Sequence, residues 1–152
     1  MVNVMKLPIL LTALLLSASP AVSNDCLYLR CKKSDDIVIT NSATSRIIGK
    51  RTKDVSSIFK IDLTKKTLTD ARAGYPQSFT VQNKTIFITY KVDNDQLKSS
   101  DIFKLNLMPP YSISSKGTAI VKTMNKSLTT RGEGSCEEVD LSVFEKALNQ
   151  PN

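Results

Sequence analysis

The 152-residue chain contains no histidine. Its absence removes the commonest general base, the partner of Ser-His and Cys-His nucleophile pairs, and the most common zinc ligand. No G-x-S-x-G elbow, Walker loop or dinucleotide fingerprint occurs. The three cysteines lack C-x-x-C spacing, which argues against a redox dithiol or a zinc site. Acid–base chemistry is left to paired carboxylates: Asp35-Asp36, Asp93 with Asp95, and Glu137-Glu138. Each stands beside turn or terminal residues, where solvation is the ordinary state. Asp93, Asn94 and Asp95 do not open a calcium loop either, because Gln96-Leu97-Lys98 does not continue the required ligand pattern. The expectation is a protein that is not an enzyme and uses no cofactor and no metal.

What is present begins with an export signal. Lys6 precedes the apolar segment Leu7 to Ala18, and Ser17, Ala18, Ser19, Ala21 and Ser23 supply the small residues of a cleavage zone. Cleavage after Ser23 is expected, with Ser19 and Ala21 as alternatives. The apolar run falls short of the ~20 residues that a spanning helix needs, so no transmembrane anchor remains after cleavage. Asp25 before Cys26 does not suit a lipidation site. Residues 1–23 are therefore read as a signal peptide and 24–152 as a single exported domain, secreted or periplasmic. That domain has 152 − 23 = 129 residues, within the usual range for one core.

Loss of Lys6 takes the formal charge from +7 to +6. A basic exported chain favours weak association with anionic partners such as envelope polymers, lipid head groups or nucleic acid. The densest cationic group, Arg46, Lys50, Arg51 and Lys53, lies in a polar stretch without interleaved aromatics, so no specific nucleic-acid partner is expected. Asn83-Lys84-Thr85 and Asn125-Lys126-Ser127 match the glycosylation sequon, which matters only in a eukaryotic secretory pathway.

Export makes the cysteines Cys26, Cys31 and Cys136 candidates for a disulfide. On one extended strand Cys26 and Cys31 would stand roughly 16 Å apart on opposite faces, beyond the ~7 Å limit between bridged Cα atoms. Cys136 should then pair with one of them. Cys31 is favoured because it shares a face with Leu27 and Leu29. Cys26 becomes a free or intermolecular thiol, available for a disulfide-linked dimer.

The strand signals centre on Ser57 to Leu107. Thr85 to Tyr90 is a continuous β-branched and aromatic run that reads as a buried strand. Phe59, Ile61 and Leu63 before it, and Phe103, Leu105 and Leu107 after it, alternate with polar residues as half-buried strands do. Leu27 to Lys33 reads as the first strand, and Ile37 to Ile39 as a short second strand or a loop plug. Thr40 to Ser57 reads as a long connection, Thr67 to Thr69 as a short return strand, and Asp70 to Ser78 as a loop. Asn83 suits a tight turn. Val92 to Asp101 reads as a loop and Tyr111 to Lys116 as irregular, with further strands over Gly117 to Met124 and Leu128 to Glu133. Leu141, Phe144, Ala147 and Leu148 have helical spacing behind Asp140 as N-cap. The expected fold is mainly β: a single small antiparallel meander of six to eight strands, barrel-like or sandwich, with a short C-terminal helix.

With Leu27 to Lys32, Phe59 to Leu63, Ile86 to Tyr90 and Gly132 to Cys136 in this order, the chain resembles small exported bacterial β-sheet proteins of uncharacterised function. More distantly it is similar to the membrane-bound C-type lysozyme inhibitors, small β-barrels that insert a Ser/Lys-bearing loop into the lysozyme cleft. Unlike them it has no tryptophan-containing strand and no Ser-Gly-x-x-Tyr pattern. The nearest match to their loop is Ser114-Ser115-Lys116-Gly117, so Ser115 and Lys116 are the residues this resemblance implies for partner contact. The leading functional expectation is a cell-envelope protein with a non-enzymatic binding or structural role, its partner a protein or an anionic envelope polymer. The alternative is a proteinaceous inhibitor of a secreted hydrolase such as lysozyme.

Overall fold

Leu27, Leu29, Cys31, Lys33, Asp35 and Ile37 recur every second residue, and that period lays down one long strand. In the computed structural model, which describes residues 26–150, β1 runs over Cys26–Asn41. The signal peptide expected over residues 1–23, and its expected cleavage site, lie outside the described residues. β2 (Ile47–Asp62) folds back on β1 along its whole length, and β3 (Thr67–Asp70) and β4 (Pro76–Ser78) continue the meander. β5 (Thr80–Gln82), β6 (Thr85–Asp93), β7 (Leu97–Asn106), β8 (Ser112–Val121) and β9 (Lys126–Glu138) follow. The helix α1 (Leu141–Leu148) ends the described chain.

All pairings are antiparallel, in the order β4-β3-β2-β1-β9-β8-β7-β6-β5. Only Phe79 separates the two end strands, β4 and β5. One stretch of chain thus leaves the β3 side and joins the β6 side, which brings the sheet close to a closed barrel and removes most of its free edge. The single meander, its barrel-like form and the C-terminal helix are as the patterning predicts. Among the described residues nine strands stand in place of the expected six to eight, because β4 and β5, three residues each, divide at Phe79.

Leu29, Ile61, Ile86 and Leu105 lie at 0% exposure, with Cys31, Phe59, Leu68, Phe79, Ile88, Tyr111 and Ile113 buried around them. On the outer face α1 covers Tyr28, whose ring packs 5.8 Å from that of Phe144, while Ile102 and Ile120 stay exposed among polar residues. Asp140 is the N-cap residue, yet its side chain makes no cap bond; its backbone carbonyl accepts from Val143 N–H.

Several connections predicted as loops are strands. Ser34-Asp35-Asp36 has turn-like composition but is the middle of β1, and Ile37 to Ile39 belongs to the same strand. The polar stretch Thr40 to Ser57 is a hairpin turn plus most of β2, held by the pairing of Lys33 with Val55 through Ile39 with Gly49. Val92 to Asp101 is the β6–β7 hairpin, and Tyr111 to Lys116 leads into and forms the first half of β8. In each case ladder hydrogen bonds from a distant segment outweigh weak local propensity. β6 buries Ile86 and Ile88 but not Phe87, which lies outside beneath the Lys104 ammonium at 5.5 Å. Asn83 (φ 48°) and Lys84 (φ 61°) make the expected tight turn before it.

Candidate functional site

The inward face of β1 changes chemistry partway along. Leu29 and Cys31 belong to the apolar core, whereas Lys33 and Asp35, the next two inward positions, carry opposite charges. Lys33 Nζ lies 2.8 Å from Asp35 Oδ1, with side-chain exposures of 15% and 13%. It also donates to Ser115 Oγ at 2.7 Å, and the Ser115 hydroxyl donates to Asp35 at 3.3 Å. Charges this far from water persist when each is paired and hydrogen-bonded. The triad joins β1 to β8 across β9, and Gly132 on β9 leaves the space through which it does so.

Below this triad a cavity of about 250 Å³ opens into the barrel. Cys31, Phe59, Leu68, Ile88, Phe103 and Ile113 form an apolar floor. Lys33, Ser57, Asp70, Gln77 and Tyr90 bring polar groups to its walls. The β3–β4 loop shapes the mouth: Asp70 Oδ1 accepts from Arg72 N–H at 2.9 Å, the Arg72 guanidinium donates to the Ser56 carbonyl, and Ala73 is thereby held at the cavity. The Tyr90 hydroxyl donates to Gln77 Oε1, linking β6 to β4, two strands that share no ladder. Burial, with the charges of Tyr75 and Asp70, pushes the Tyr90 phenol above its ordinary range, and the Gln77 bond only partly opposes this. A concave apolar floor with few convergent polar groups suits a small molecule better than a macromolecular strand.

The sequence-predicted residues are distributed as follows. Cys31 and Cys136 are directly opposite on β1 and β9, and their sulfurs lie at bonding distance as a disulfide, with Cα atoms 4.0 Å apart. Cys136 N–H donates to the Tyr111 carbonyl on the β8 side, so the Cys31–Cys136 position is a non-hydrogen-bonded pair, the site where facing side chains come closest. Of the two cysteines, Cys31 lines the cavity floor. Cys26 is free and half-buried beside Tyr28. Ser115 and Lys116 do not form a loop. They stand in mid-strand on β8, Ser115 turned inward to Lys33 and Lys116 outward opposite Arg131.

The carboxylate pairs separate. Asp35 faces in, while Asp36 faces out and accepts from Thr52. Glu137 pairs with Arg30, and Glu138 accepts from the Tyr111 hydroxyl. Asp93 pairs with Lys122, which holds its carboxyl below the usual range, and Asn94 Oδ1 accepts two turn N–H groups. No cluster of potential metal ligands occurs among the described residues, and no helix among them is long and apolar enough to cross a membrane. The Lys33–Asp35–Ser115 triad and the cavity were not found by sequence reasoning. The available signal was the period-2 pattern continuing through Lys33 and Asp35 to Ile37.

Compared with known proteins, the chain matches no family model, no curated protein and no solved structure.

Proposed function

We propose that this chain is an exported, non-enzymatic binding protein of the cell envelope, and that its barrel takes up a small ligand with a mainly apolar body. The observation that carries this reading is the 250 Å³ cavity whose floor is Phe59, Leu68, Ile88, Phe103 and Ile113. An apolar cavity of roughly 150 Å³ already binds a single aromatic ring, because water gains little by filling it. Export is supported by the signal-like first 23 residues and by a disulfide inside the sheet. The hydrolase-inhibitor alternative loses the loop on which it rested, since Ser115 and Lys116 are strand residues.

The test uses 2-naphthol, whose fluorescence can be read without interference because the protein has no tryptophan. Titration of the exported protein should give a saturable change at one equivalent, with a Kd on the order of 0.1 mM or tighter for so few ligand atoms. A linear, non-saturating response would remove the reading.

A further inference from the structure

Two stretches of the chain carry cations and no carboxylate; within the second, Lys122 is engaged by Asp93 at the neighbouring β6–β7 turn and Arg131 by Glu133. From Ile37 to Lys53 the chain carries Arg46, Lys50, Arg51 and Lys53 and no carboxylate. From Ile102 to Gly132 it again carries cations and no carboxylate. The fold brings the hairpin turns within these two stretches together. The β1–β2 turn and the β8–β9 turn are adjacent because β1 pairs with β9 as far as Asn41 and Lys126, and Ser42 N–H donates to the Asn125 carbonyl at 2.9 Å. Arg46, Lys50, Arg51 and Lys126 have no ion-pair partner among the described residues.

This cationic end is also apolar at its extremity. Ile47, Ile48 and Met124 are 53%, 50% and 57% exposed. The turns that present them are built firmly: Asn41 Oδ1 accepts from Ala43 and Thr44 N–H, Asn41 N–H donates to the Arg46 carbonyl, and Asn125 adopts φ 48°. Ile48 is the extra residue at the register shift between β1 and β2, so both isoleucines reach the surface instead of one turning inward. A polyanion in solution would be bound by charge alone and gives no use for three exposed apolar side chains. An anionic bilayer uses both, because cations meet its head groups while apolar side chains enter the head-group boundary.

We infer that the paired β1–β2 and β8–β9 hairpin tips form a docking surface for an anionic lipid bilayer. The surface lies at the hairpin ends, away from the cavity, and is independent of what the cavity holds. It would keep an exported protein at the membrane without a covalent anchor.

The test is co-sedimentation of the exported protein with vesicles of phosphatidylcholine alone and of phosphatidylcholine with phosphatidylglycerol. Binding should require phosphatidylglycerol and weaken with salt. The triple variant Arg46→Gln, Lys50→Gln, Lys126→Gln should lose on the order of tenfold or more in affinity. The variant Ile47→Ser, Ile48→Ser should lose several-fold while keeping its charge. Arg46, Ile47, Ile48 and Lys126 are at the turns and Lys50 is an exposed residue near the start of β2, and an unchanged far-ultraviolet spectrum checks that each variant folds. Absence of binding to phosphatidylglycerol vesicles would overturn the inference. So would binding that is indifferent to Ile47→Ser, Ile48→Ser and equally strong for soluble polyphosphate, which would mark a polymer site.

Discussion

The carboxylate of Asp35 occupies the space that a side chain at Gly132 would need. A Cβ built on Gly132 collides with Asp35 Oδ1 and comes within 2.9 Å of Ser115 Oγ. Glycine on β9 is therefore what lets an ion pair on β1 reach a hydroxyl on β8. Gly132→Ala should displace Asp35 from the triad and destabilise the fold by about 1–3 kcal/mol, more than an alanine at an ordinary strand position, where alanine is better than glycine. Chemical denaturation of the two proteins measures it.

Removing one member of the triad tests the same relationship from the other side. Lys33→Met keeps the side chain's length but leaves the Asp35 carboxylate, 9% exposed, without its cation. Loss of a partner from a buried pair costs about 3–5 kcal/mol, and the residual access to water here places the expectation at the low end. The double change Lys33→Met, Asp35→Leu should recover much of it, because an apolar pair leaves no uncompensated charge. A double change no better than the single one would show that the ion pair itself is not what is lost.

The disulfide spans 105 residues of sequence and joins neighbouring strands of the finished sheet. Its removal, as Cys31→Ala with Cys136→Ala, should lower stability by about 4–5 kcal/mol through the entropy of the unfolded chain. Non-reducing mass measurement with thiol alkylation should find one alkylatable thiol in the unaltered protein, Cys26.

Alkaline pH should destabilise the fold through its phenols. Burial raises Tyr28 and Tyr90, while the bond to Glu138, helped by burial, raises Tyr111. For a group whose folded pKa lies above its unfolded value, the added stability is complete below the unfolded value, ~10. It is lost as pH climbs through the folded one. A phenolate absorbance titration should therefore show these tyrosines ionising late and together with unfolding. Tyr111→Phe should shrink the alkaline loss, since Glu138 then has no phenol to lose.

Much of the fold was legible in the chain because its strands carry the period-2 mark where they bury apolar residues. Leu27, Leu29 and Cys31, or Phe103 and Leu105, announce one buried face each. The same reasoning failed where the inward positions are polar. Lys33, Asp35 and Ser115 face in, yet Ser34-Asp35-Asp36 and Ser114-Ser115-Lys116-Gly117 have the composition of turns. Their partners are supplied by strands 80 residues or more away in sequence, so no local pattern discloses them. The disulfide was legible because only strand parity was needed to choose Cys31 over Cys26. The cavity was not, since it depends on the β3–β4 loop placing Ala73, and β4 placing Gln77, over a floor drawn from β1, β2, β3, β6, β7 and β8.

Closing that mouth should abolish uptake. Ala73 is an exposed loop residue at the cavity, so Ala73→Phe can fill the opening without disturbing the core and without adding a tryptophan to the fluorescence measurement. The variant should keep its unfolding midpoint and weaken 2-naphthol binding at least tenfold.

The most direct measurement is a methyl ¹H–¹³C spectrum of the isoleucine- and leucine-labelled protein recorded during addition of 2-naphthol. Uptake into the barrel should shift Leu68, Ile88 and Ile113, which line the cavity, progressively, with Ile47, Ile48, Ile102 and Ile120 on the exposed surface left in place. Shifts confined to those surface isoleucines, or no shifts at all, would contradict it.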